Sequence, residues 1–386
     1  MIRCLIIIGM NLNIIFSKHP HVGKSALEII HINKYPTETH NVITKDGYIL
    51  TLFRIPHGIK NRTRNGRPVL LMHGIIQSAA DFVVMGSNKS IAFILAENGY
   101  DVWLGNARGN LYSRNHTDLS AKNKKFWKFS WHEIGLFDLP AMINYILDKT
   151  GYAKLHYMGH SQGCTTLLVL LSSKPKYNEK INLGVMLAPC SFMTNIINPF
   201  IYFFVNYFYE ETVFLMETLS SHNGEFLSHH KNISKIIEFI CAFFSKICSS
   251  ILFLIIGFSY RLLNYELLPA ILSNLPAGIS YLQTIHFAQI IKSGHFRRFD
   301  YGERINKKKY GTKTPPDYDL KKIRAPMAIF YSDYDWICST KDVEKLSFHL
   351  PNVAYKKKIT EEIFNHMDFI WNSINFIQYY YLGVMN

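Results

Sequence analysis

Tyr157–Cys164, with the sequence YMGHSQGC, is the stretch that decides the fold of this chain. An apolar run precedes it, its centre is a G-x-S-x-G pentapeptide, and Thr165–Leu171 follows with a helical pattern. A strand that turns sharply into a helix lifts the serine of the turn above the edge of its sheet, and the flanking glycines leave room for the tight turn. The pattern therefore predicts a nucleophile elbow, with Ser161 as the candidate nucleophile.

Length and composition exclude some classes of protein. The chain has 386 residues, so one large domain with an inserted piece and two separate domains are both open. Apolar residues make up 48% and charged residues 18%, which supports a packed core and excludes a disordered chain. The net charge of +14 favours attraction of the protein to anionic surfaces. Because the lysines and arginines are spread thinly, we interpret the charge as a solvated basic face and expect no nucleic-acid partner.

Residues 1–17 have one basic residue followed by a short apolar run. The run is too short to span a bilayer and resembles a signal peptide, although two asparagines interrupt it and no A-x-A cleavage site follows. Sequons of the form N-x-S/T occur at Asn61, Asn88, Asn115 and Asn232. These tripeptides are compatible with passage through the secretory pathway. We therefore expect a secreted glycoprotein.

The cysteines outside this leader are Cys164, Cys190, Cys241, Cys248 and Cys338. The contexts of Cys164, Cys190 and Cys338 favour small buried residues. Cys241 and Cys248 could form a local bridge in an oxidising compartment. On one continuous helix they would lie about 10 Å apart along the axis, so a bridge requires a break in the helix. No Cys–His spacing resembles a zinc site and no H-E-x-x-H is present, so we expect no metal and no other cofactor.

Strand-like and helix-like patterns alternate in the first half of the chain and again near its end. Asp46-Gly47 between two extended runs predicts a hairpin. Further strands are predicted at Pro68–Met72, Tyr100–Leu104, Lys154–Met158, Leu183–Pro189, Ala325–Tyr331 and Ala354–Ile359. Helices are predicted at Ile91–Glu97, at Glu133–Leu147, from Asp342 and after Asn365–Trp371. Such alternation indicates an α/β fold with a largely parallel sheet covered on both faces.

The middle of the chain has a different composition. Pro199–Phe208 is dense in aromatic residues, and Ile236–Phe258 is a long, interrupted apolar stretch. Its longest uninterrupted piece is well short of the ~20 residues that a transmembrane helix needs, so we predict no integral membrane span. Buried helices of a cap and a lid with an apolar face for lipid both remain open. The predicted organisation is a signal peptide at 1–17, a first core part at 18–191, a helical cap with lid at 192–319 and a second core part at 320–386.

The elbow serine needs two partners. Serine is a poor nucleophile until a base removes its proton, and a third group must hold that base in one tautomer. On a sheet of this kind the expected chain order is serine, acid and histidine, with the partners on loops after late strands. Asp333 or Asp335, followed by His366, meets that order, and we favour Asp335. We interpret Asp342 as a helix-start residue.

A tetrahedral intermediate also needs backbone N–H donors aimed at its oxyanion. One is expected from Gln162, the residue after the nucleophile. The other is expected from Ile75, in the loop after the strand that ends near His73. We interpret His73 and His160 as structural residues and Arg108 as a loop anchor.

Four motifs resemble the acid lipase family, which includes the gastric and lysosomal acid lipases and many insect lipases. They are Met72–Ser78 (MHGIIQS), Gly99–Asn110 (GYDVWLGNARGN), Gly159–Gly163 (GHSQG) and Asn365–Trp371 (NHMDFIW). The second motif is far more specific than the elbow pentapeptide. The resemblance runs from about Asn33 to the last helix and includes Asn274–Gly278 (NLPAG) and Lys292–Gly294 (KSG) within the cap.

This resemblance implies an α/β-hydrolase fold with a cap and lid inserted between two halves of the core. It implies a secreted or lysosomal hydrolase of triacylglycerols or cholesteryl esters that works at an oil–water or membrane interface. It places the acid at Asp335, because Asp335–Cys338 followed by Asp342 matches the acid-bearing segment of the family. The family carries a disulfide in its cap, and Cys241 and Cys248 occupy that neighbourhood at a closer spacing.

Taken together, the sequence predicts a serine ester hydrolase for water-insoluble neutral lipid, with Ser161 as nucleophile, His366 as base and Asp335 as the orienting acid. A carboxylesterase for smaller soluble esters is the alternative among enzymes. A non-catalytic lipid-binding protein on the same scaffold is the alternative outside them. The preferred ester, the choice between secretion and the lysosome, and the oligomeric state stay open at this level.

Overall fold

The computed structural model describes residues 19–62, 66–220, 223–229, 241, 246, 248–250, 257, 264–361, 363–372 and 382–385. Three features named above fall outside the described residues. They are the predicted leader at 1–17, the sequon at Asn232 and most of the apolar stretch Ile236–Phe258.

Strands and helices alternate along the described chain. The strands are Glu38–Ile43 (β1), Tyr48–Ile55 (β2), Pro68–Met72 (β3), Asp101–Leu104 (β4), Asn115–His116 (β5), Leu155–His160 (β6), Ile181–Leu187 (β7), Glu225–Phe226 (β8), Ile279–Ser280 (β9), Met327–Ser332 (β10) and Val353–Ile359 (β11). The α-helices are Ala26–Ile32 (α1), Ile91–Glu97 (α2), Trp131–Glu133 (α3), Leu139–Thr150 (α4), Gln162–Ser173 (α5), Pro199–Tyr207 (α6), Tyr209–Leu219 (α7), Leu268–Ser273 (α8), Tyr281–Ser293 (α9), Glu303–Tyr310 (α10), Thr340–His349 (α11), Asp368–Trp371 (α12) and Leu382–Met385 (α13). Short 3-10 helices lie at Ala79–Phe82, Pro175–Lys180 and Leu320–Lys322, and a π-helical segment at Ile134–Asp138 joins α3 to α4.

A nine-stranded sheet organises the described chain. Its order is β1-β2-β4-β3-β6-β7-β10-β11, with β5 paired to β2. From β4 onward along this order every pair is parallel, whereas β1, β2, β4 and β5 make antiparallel pairs with one another through β2. The predicted hairpin joins β1 to β2.

Both faces of the central strands are buried. Along β3, Val69 and Leu71 belong to one hydrophobic cluster, whereas Leu70 and Met72 belong to the other. Successive side chains of a strand point to opposite faces, so each cluster is the core on one side of the sheet. Strands that are buried on both faces have continuous apolar sequences. The predicted α/β fold with a mostly parallel sheet is confirmed.

Arg108 anchors the loop after β4, as the sequence predicts. Its guanidinium donates to Asp138 Oδ1 at 2.7 Å and to Asp46 Oδ2 at 2.6 Å, and it lies 3.9 Å from the centroid of the Tyr48 ring. Burial raises the pKa of the Asp138 carboxyl to about 6. The cluster ties the β1–β2 turn to the start of α4 and so fixes the loop beside the elbow helix.

Between β7 and β10, the described residues form helices α6 to α10 and the small antiparallel sheet β8–β9, and we refer to this region, predicted as the cap, by that name. The Ala277 N–H donates to the Ile76 carbonyl oxygen at 2.8 Å. Arg114 of the core makes an ion pair with Glu225 of β8, including a contact of 2.8 Å between Nη2 and Oε2. These bonds attach the cap to the core. Among the described residues, no helix has the length and hydropathy needed to cross a membrane.

The cysteine prediction was partly wrong. Cys190 and Cys338 form a disulfide, with Cα atoms 5.2 Å apart, although the sequence contexts indicated separate buried residues. The reason is tertiary: β7 and β10 are neighbours in the sheet, so the loops that follow them meet. Cys241 and Cys248 form the bridge that the sequence left open, with Cα atoms 5.6 Å apart. Cys164 is a free buried cysteine, as predicted.

Candidate active site

The elbow lies where β6 turns into α5. Ser161 has φ 53° and ψ −117°, in the left-handed half of the map that side chains other than glycine rarely occupy. A Cβ added at Gly159 would lie 2.7 Å from the Gly163 carbonyl carbon, and one at Gly163 would lie 2.3 Å from the Met72 carbonyl oxygen. Both glycines are therefore required by close backbone contacts. Strain of this kind is typical of functional sites, where the surrounding structure holds it.

A hydrogen-bonded chain runs from the elbow to the end of the sheet. The Ser161 hydroxyl lies 2.9 Å from His366 Nε2, and His366 Nδ1 lies 2.8 Å from Asp335 Oδ2. Asp335 is fully buried, and Ser161 and His366 are each 5% exposed. A carboxylate at Nδ1 selects the tautomer that carries its proton there, which leaves Nε2 to accept the proton of the serine. The three groups can therefore act as nucleophile, base and orienting acid.

Asp335 is held from its other side by the backbone. Its Oδ1 accepts N–H groups of Ile337 and Cys338, both at 2.9 Å. These donors satisfy the carboxylate oxygen that does not face the histidine. They also fix the side chain so that the other oxygen stays directed at His366.

The other two acids have different partners. Asp333 accepts from Thr340 Oγ1 at 2.6 Å and pairs with Lys358 at 2.9 Å, and these bonds lower the pKa of its exposed carboxyl. Asp342 lies in the first turn of α11, where its carboxylate accepts bonds from Asn195 at 2.7 and 2.9 Å. Asp342 thus has the helix-start position that the sequence predicted.

The loop after β3 passes beside the nucleophile. A Cβ added at Gly74 would lie 3.1 Å from Ser161 Cβ. Among the described residues, neither the Ile75 N–H nor the Gln162 N–H donates an intramolecular hydrogen bond. Ile76 adopts φ 59°, and its carbonyl is held by the cap through Ala277. Two uncommitted N–H groups next to the serine are what an oxyanion requires.

His160 does more than the sequence indicated. Its ring nitrogens lie 3.0 Å from Gln77 Oε1 and 2.9 Å from the His366 carbonyl oxygen. Gln77 Oε1 also accepts the Gly74 N–H at 2.7 Å. His160 therefore links the loop beside the oxyanion donors to the segment that carries the base. Its position next to the nucleophile was the available signal, but no local pattern reveals partners 83 and 206 residues away.

His73 is a buried loop residue, as the sequence predicted. Its Nδ1 lies 2.8 Å from the Gly74 carbonyl oxygen, and its Nε2 accepts the Ala107 N–H at 3.1 Å. Burial lowers the pKa of His73 to about 4, so the ring is neutral at pH 7. Its contacts join the loops after β3 and β4 and leave the triad untouched.

The cap also reaches the elbow directly. Gln283 of α9 donates from Nε2 to Gln162 Oε1 at 3.2 Å. The Ser280 hydroxyl at the start of the same helix donates to the Trp127 carbonyl oxygen at 2.6 Å. The cap therefore contacts the residue that follows the nucleophile.

Comparison with known proteins identifies the family. The family profile described as "Partial alpha/beta-hydrolase lipase region" matches residues 26–86, and that described as "alpha/beta hydrolase fold" matches residues 67–219. Lipase 1 of Drosophila melanogaster is 43% identical over 341 residues, which are 87% of this chain and 73% of that protein. Gastric triacylglycerol lipase of Mus musculus is 37% identical over 360 residues, which are 92% of this chain and 89% of that protein.

The fold agrees with a solved structure as well. A membrane phospholipase A described as a bacterial virulence factor is similar with a TM-score of 0.52 at 14% identity, over 100% of both chains. At that identity the similarity shows the fold alone. The sequence matches carry the family assignment: the chain belongs to the acid lipase family, whose members are ester hydrolases of the lipase type with an α/β-hydrolase fold.

Proposed function

We propose that Ser161, His366 and Asp335 carry out the ester hydrolysis expected of this family, and that the substrate is a water-insoluble neutral lipid, triacylglycerol or cholesteryl ester. The observation that supports the catalytic assignment is the buried chain of hydrogen bonds from Ser161 through His366 to Asp335. It lies at a G-x-S-x-G turn with a strained serine, the position from which such nucleophiles act.

The mechanism follows from the positions of these atoms. His366 Nε2 takes the hydroxyl proton as Ser161 Oγ attacks the ester carbonyl, and Asp335 stabilises the imidazolium that forms. The Ile75 and Gln162 N–H groups donate to the oxyanion of the tetrahedral intermediate. His366 then protonates the leaving alcohol. Water, deprotonated by His366, attacks the acyl-enzyme and releases the fatty acid and the free serine.

An exposed apolar surface on the cap supports an insoluble substrate. We call it the aromatic face, and it consists of Phe200, Tyr202, Phe203, Phe204, Tyr207, Phe208, Phe214, Leu215 and Leu219. These side chains lie on α6 and α7 or on the residue between them, and Tyr207 and Phe214 are 68% and 70% exposed. Large contiguous apolar surfaces mark sites of interaction with proteins or membranes. On a lipase, we expect the aromatic face to bind the apolar surface of a lipid droplet or emulsion.

Secretion, with the lysosome as the alternative, is part of the proposal. The bridges Cys190–Cys338 and Cys241–Cys248 are of a kind that persists in oxidising compartments. Asn88 and Asn115 are exposed, so both sequons are open to glycosylation. We keep residues 1–17 as the proposed signal peptide. Residues 192–319 are kept as the proposed boundaries of the cap with its lid.

The proposal is tested by substrate profiling of the purified enzyme and of Ser161→Ala. We expect the enzyme to hydrolyse emulsified triolein or cholesteryl oleate faster than p-nitrophenyl butyrate below its solubility limit. Ser161→Ala should lose turnover on all of them by roughly 10⁴- to 10⁶-fold, because the acyl-enzyme cannot form. A retained rate in that variant contradicts the assignment of the nucleophile.

Labelling separates the remaining alternatives. A fluorescent organophosphate should bind the wild-type protein at one site and leave Ser161→Ala unlabelled. If the organophosphate labels the protein but emulsified substrate is hydrolysed no faster than soluble ester, the protein is a carboxylesterase for soluble esters. A folded wild-type protein that neither labels nor hydrolyses any ester is a lipid-binding protein on this scaffold.

A further inference from the structure

The Cys190–Cys338 disulfide connects the two loops that flank the catalytic residues. Cys190 lies three residues after the end of β7, and Cys338 lies three residues after Asp335 in the loop that follows β10. Because β7 and β10 pair in parallel, their carboxyl ends lie at the same edge of the sheet. The disulfide links the two loops covalently at that edge, although the two cysteines are 148 residues apart in sequence.

Each half of the bridge contacts a part of the candidate site. The Cys338 N–H donates to Asp335 Oδ1 at 2.9 Å. Cys190 Sγ lies 3.7 Å from Ser161 Oγ, and the Cys190 carbonyl oxygen accepts the Thr165 hydroxyl of the elbow helix at 2.6 Å. The bridge therefore joins the backbone that holds the acid to the backbone that surrounds the nucleophile.

The bridge is also shielded by the protein. Cys338 is fully buried and Cys190 nearly so. Besides the bridge, the acid-bearing loop is held to the start of the cap by hydrogen bonds from the Ile197 and Asn198 N–H groups to the Trp336 carbonyl oxygen, at 3.2 and 2.9 Å. Those bonds fix the loop two residues before the cysteine. The disulfide fixes the residue whose own N–H contacts the carboxylate.

We propose that the Cys190–Cys338 disulfide is a positioning element for Asp335, so that reducing it lowers turnover while the protein stays folded. This inference rests on the proposed function of Asp335. A dithiol breaks the S–S bond by supplying two electrons and two protons, and is itself oxidised to a cyclic disulfide. Two thiols remain, and the acid-bearing loop loses its covalent link to the loop after β7. Reoxidation restores the bond.

The expected effect is on catalysis more than on binding. A displacement of a catalytic group by about 1 Å can lower a rate by roughly 100-fold. We therefore expect the kcat for a soluble ester to fall by about 10- to 100-fold on reduction. KM should change little, because neither cysteine lies within residues 192–319, the proposed cap and lid. A bridge that served stability alone would lower Tm without lowering kcat at 25 °C.

The test uses Cys241→Ala/Cys248→Ala, which removes the bridge in the cap and leaves one reducible disulfide. The variant is equilibrated with dithiothreitol at different ratios of reduced to oxidised reagent. Its kcat and KM on p-nitrophenyl butyrate are measured, and alkylation with mass spectrometry gives the fraction of Cys190 and Cys338 that is reduced. Loss of kcat should follow that fraction and reverse on reoxidation. Unchanged kcat at full reduction overturns the proposal.

A second variant keeps the test decisive if the buried bridge resists the reductant. Cys190→Ala/Cys338→Ala should have the lowered kcat already, and dithiothreitol should not lower it further. Wild-type kcat in this variant contradicts the proposal, as do two free thiols at these positions in protein purified from an oxidising medium. If Cys190→Ala/Cys338→Ala does not fold, the reduction series decides. Failure of the proposed function is distinguishable, because the oxidised wild-type enzyme would then neither hydrolyse esters nor bind the organophosphate.

Discussion

The α/β core and helices α6 and α7 of the cap differ in how far their aromatic side chains are buried. In the core, Trp103, Trp127 and Trp131 are fully buried. In the cap, α6 and α7 bury only one described side chain each, Val205 and Thr212, and expose most of their phenylalanines and tyrosines. Burial of large rings stabilises the core, whereas exposed rings on two consecutive helices contribute little to folding. The same residue types are therefore buried and stabilising in one region and exposed to solvent in the other.

The two regions share apolar packing, and polar contacts from the cap also reach the candidate site. The Ala277 N–H holds the carbonyl of Ile76 beside the oxyanion donors, and Gln283 reaches Gln162 at the elbow. In the proposed mechanism the catalytic residues belong to the core, and the cap contacts the loops around them. This division predicts that changes at the triad affect every ester equally. It also predicts that changes on the aromatic face affect only substrates presented at an interface.

The largest effect is expected from Asp335→Asn in the core. The amide cannot stabilise the imidazolium and favours the wrong tautomer of His366, so kcat should fall about 10⁴-fold on soluble and emulsified esters alike. Asp333→Asn is the matched control, because Asp333 bonds Thr340 and Lys358 at the surface. We expect its kcat to stay within about twofold of wild type, since exposed ion pairs contribute little. A larger loss in Asp333→Asn than in Asp335→Asn would reverse the assignment of the acid.

An intermediate effect is expected from the cap. Tyr207→Glu and Phe214→Glu place charge on the aromatic face, and each should lower the initial rate on emulsified triolein by about tenfold, because one buried aromatic side chain is worth roughly 1.5–3 kcal/mol. The kcat on p-nitrophenyl butyrate should not change. Ile43→Glu and Phe348→Glu are matched controls, since these side chains are 61% and 87% exposed on core elements. Equal losses in the controls, or equal losses on the soluble ester, would remove the distinction between core and cap.

The smallest effect concerns the pH dependence of core stability. Burial lowers the pKa of His156 on β6 to about 4, against 6.5 for the unfolded chain. Between these values the unfolded state binds more protons, so the stability that neutral His156 contributes is complete above about pH 6.5 and is lost as pH falls toward 4. The variant His156→Gln removes this titratable group. Its decline in Tm from pH 7 to pH 4.5 should be smaller than that of wild type by about 3 °C.

The comparison between wild type and His156→Gln isolates one group. Burial raises the pKa of Asp81 to about 7 and that of Asp138 to about 6, and both acids favour the folded state at lower pH. These opposing contributions are present in both proteins and cancel in the difference. Parallel declines in Tm for the two proteins would contradict the prediction for His156.

Much of the core was predictable from local sequence. The strand at Pro68–Met72 and the helix at Ile91–Glu97 have the predicted bounds, and β7 begins and ends two residues before the predicted strand Leu183–Pro189. The elbow was predictable because its glycines and flanking apolar runs are adjacent in the chain. The sequence favoured Asp335 over Asp333 and the family resemblance supported that preference, but both acids follow the same strand and only contacts in space distinguish them.

The cap was predictable only in part. The aromatic density of Pro199–Phe208 was visible in the sequence, but buried helices of a cap and a lipid-facing lid both remained open. In the structure these side chains are exposed. Local sequence could not predict this, because burial depends on packing between segments that are distant in the chain. The proposed lid stretch Ile236–Phe258 lies mostly outside the described residues, so its contact with lipid stays a prediction.

The alternation of strands and helices, the turn at Ser161 and the chain order of serine, acid and histidine could be read from the sequence alone. The disulfide between Cys190 and Cys338, the link from His160 to Gln77 and His366, and the exposure of the aromatic face became visible only in the folded structure. The physical reason is distance along the chain. Periodicity and turn chemistry act within a few residues, whereas these contacts exist because sheet order brings together loops that are more than 80 residues apart.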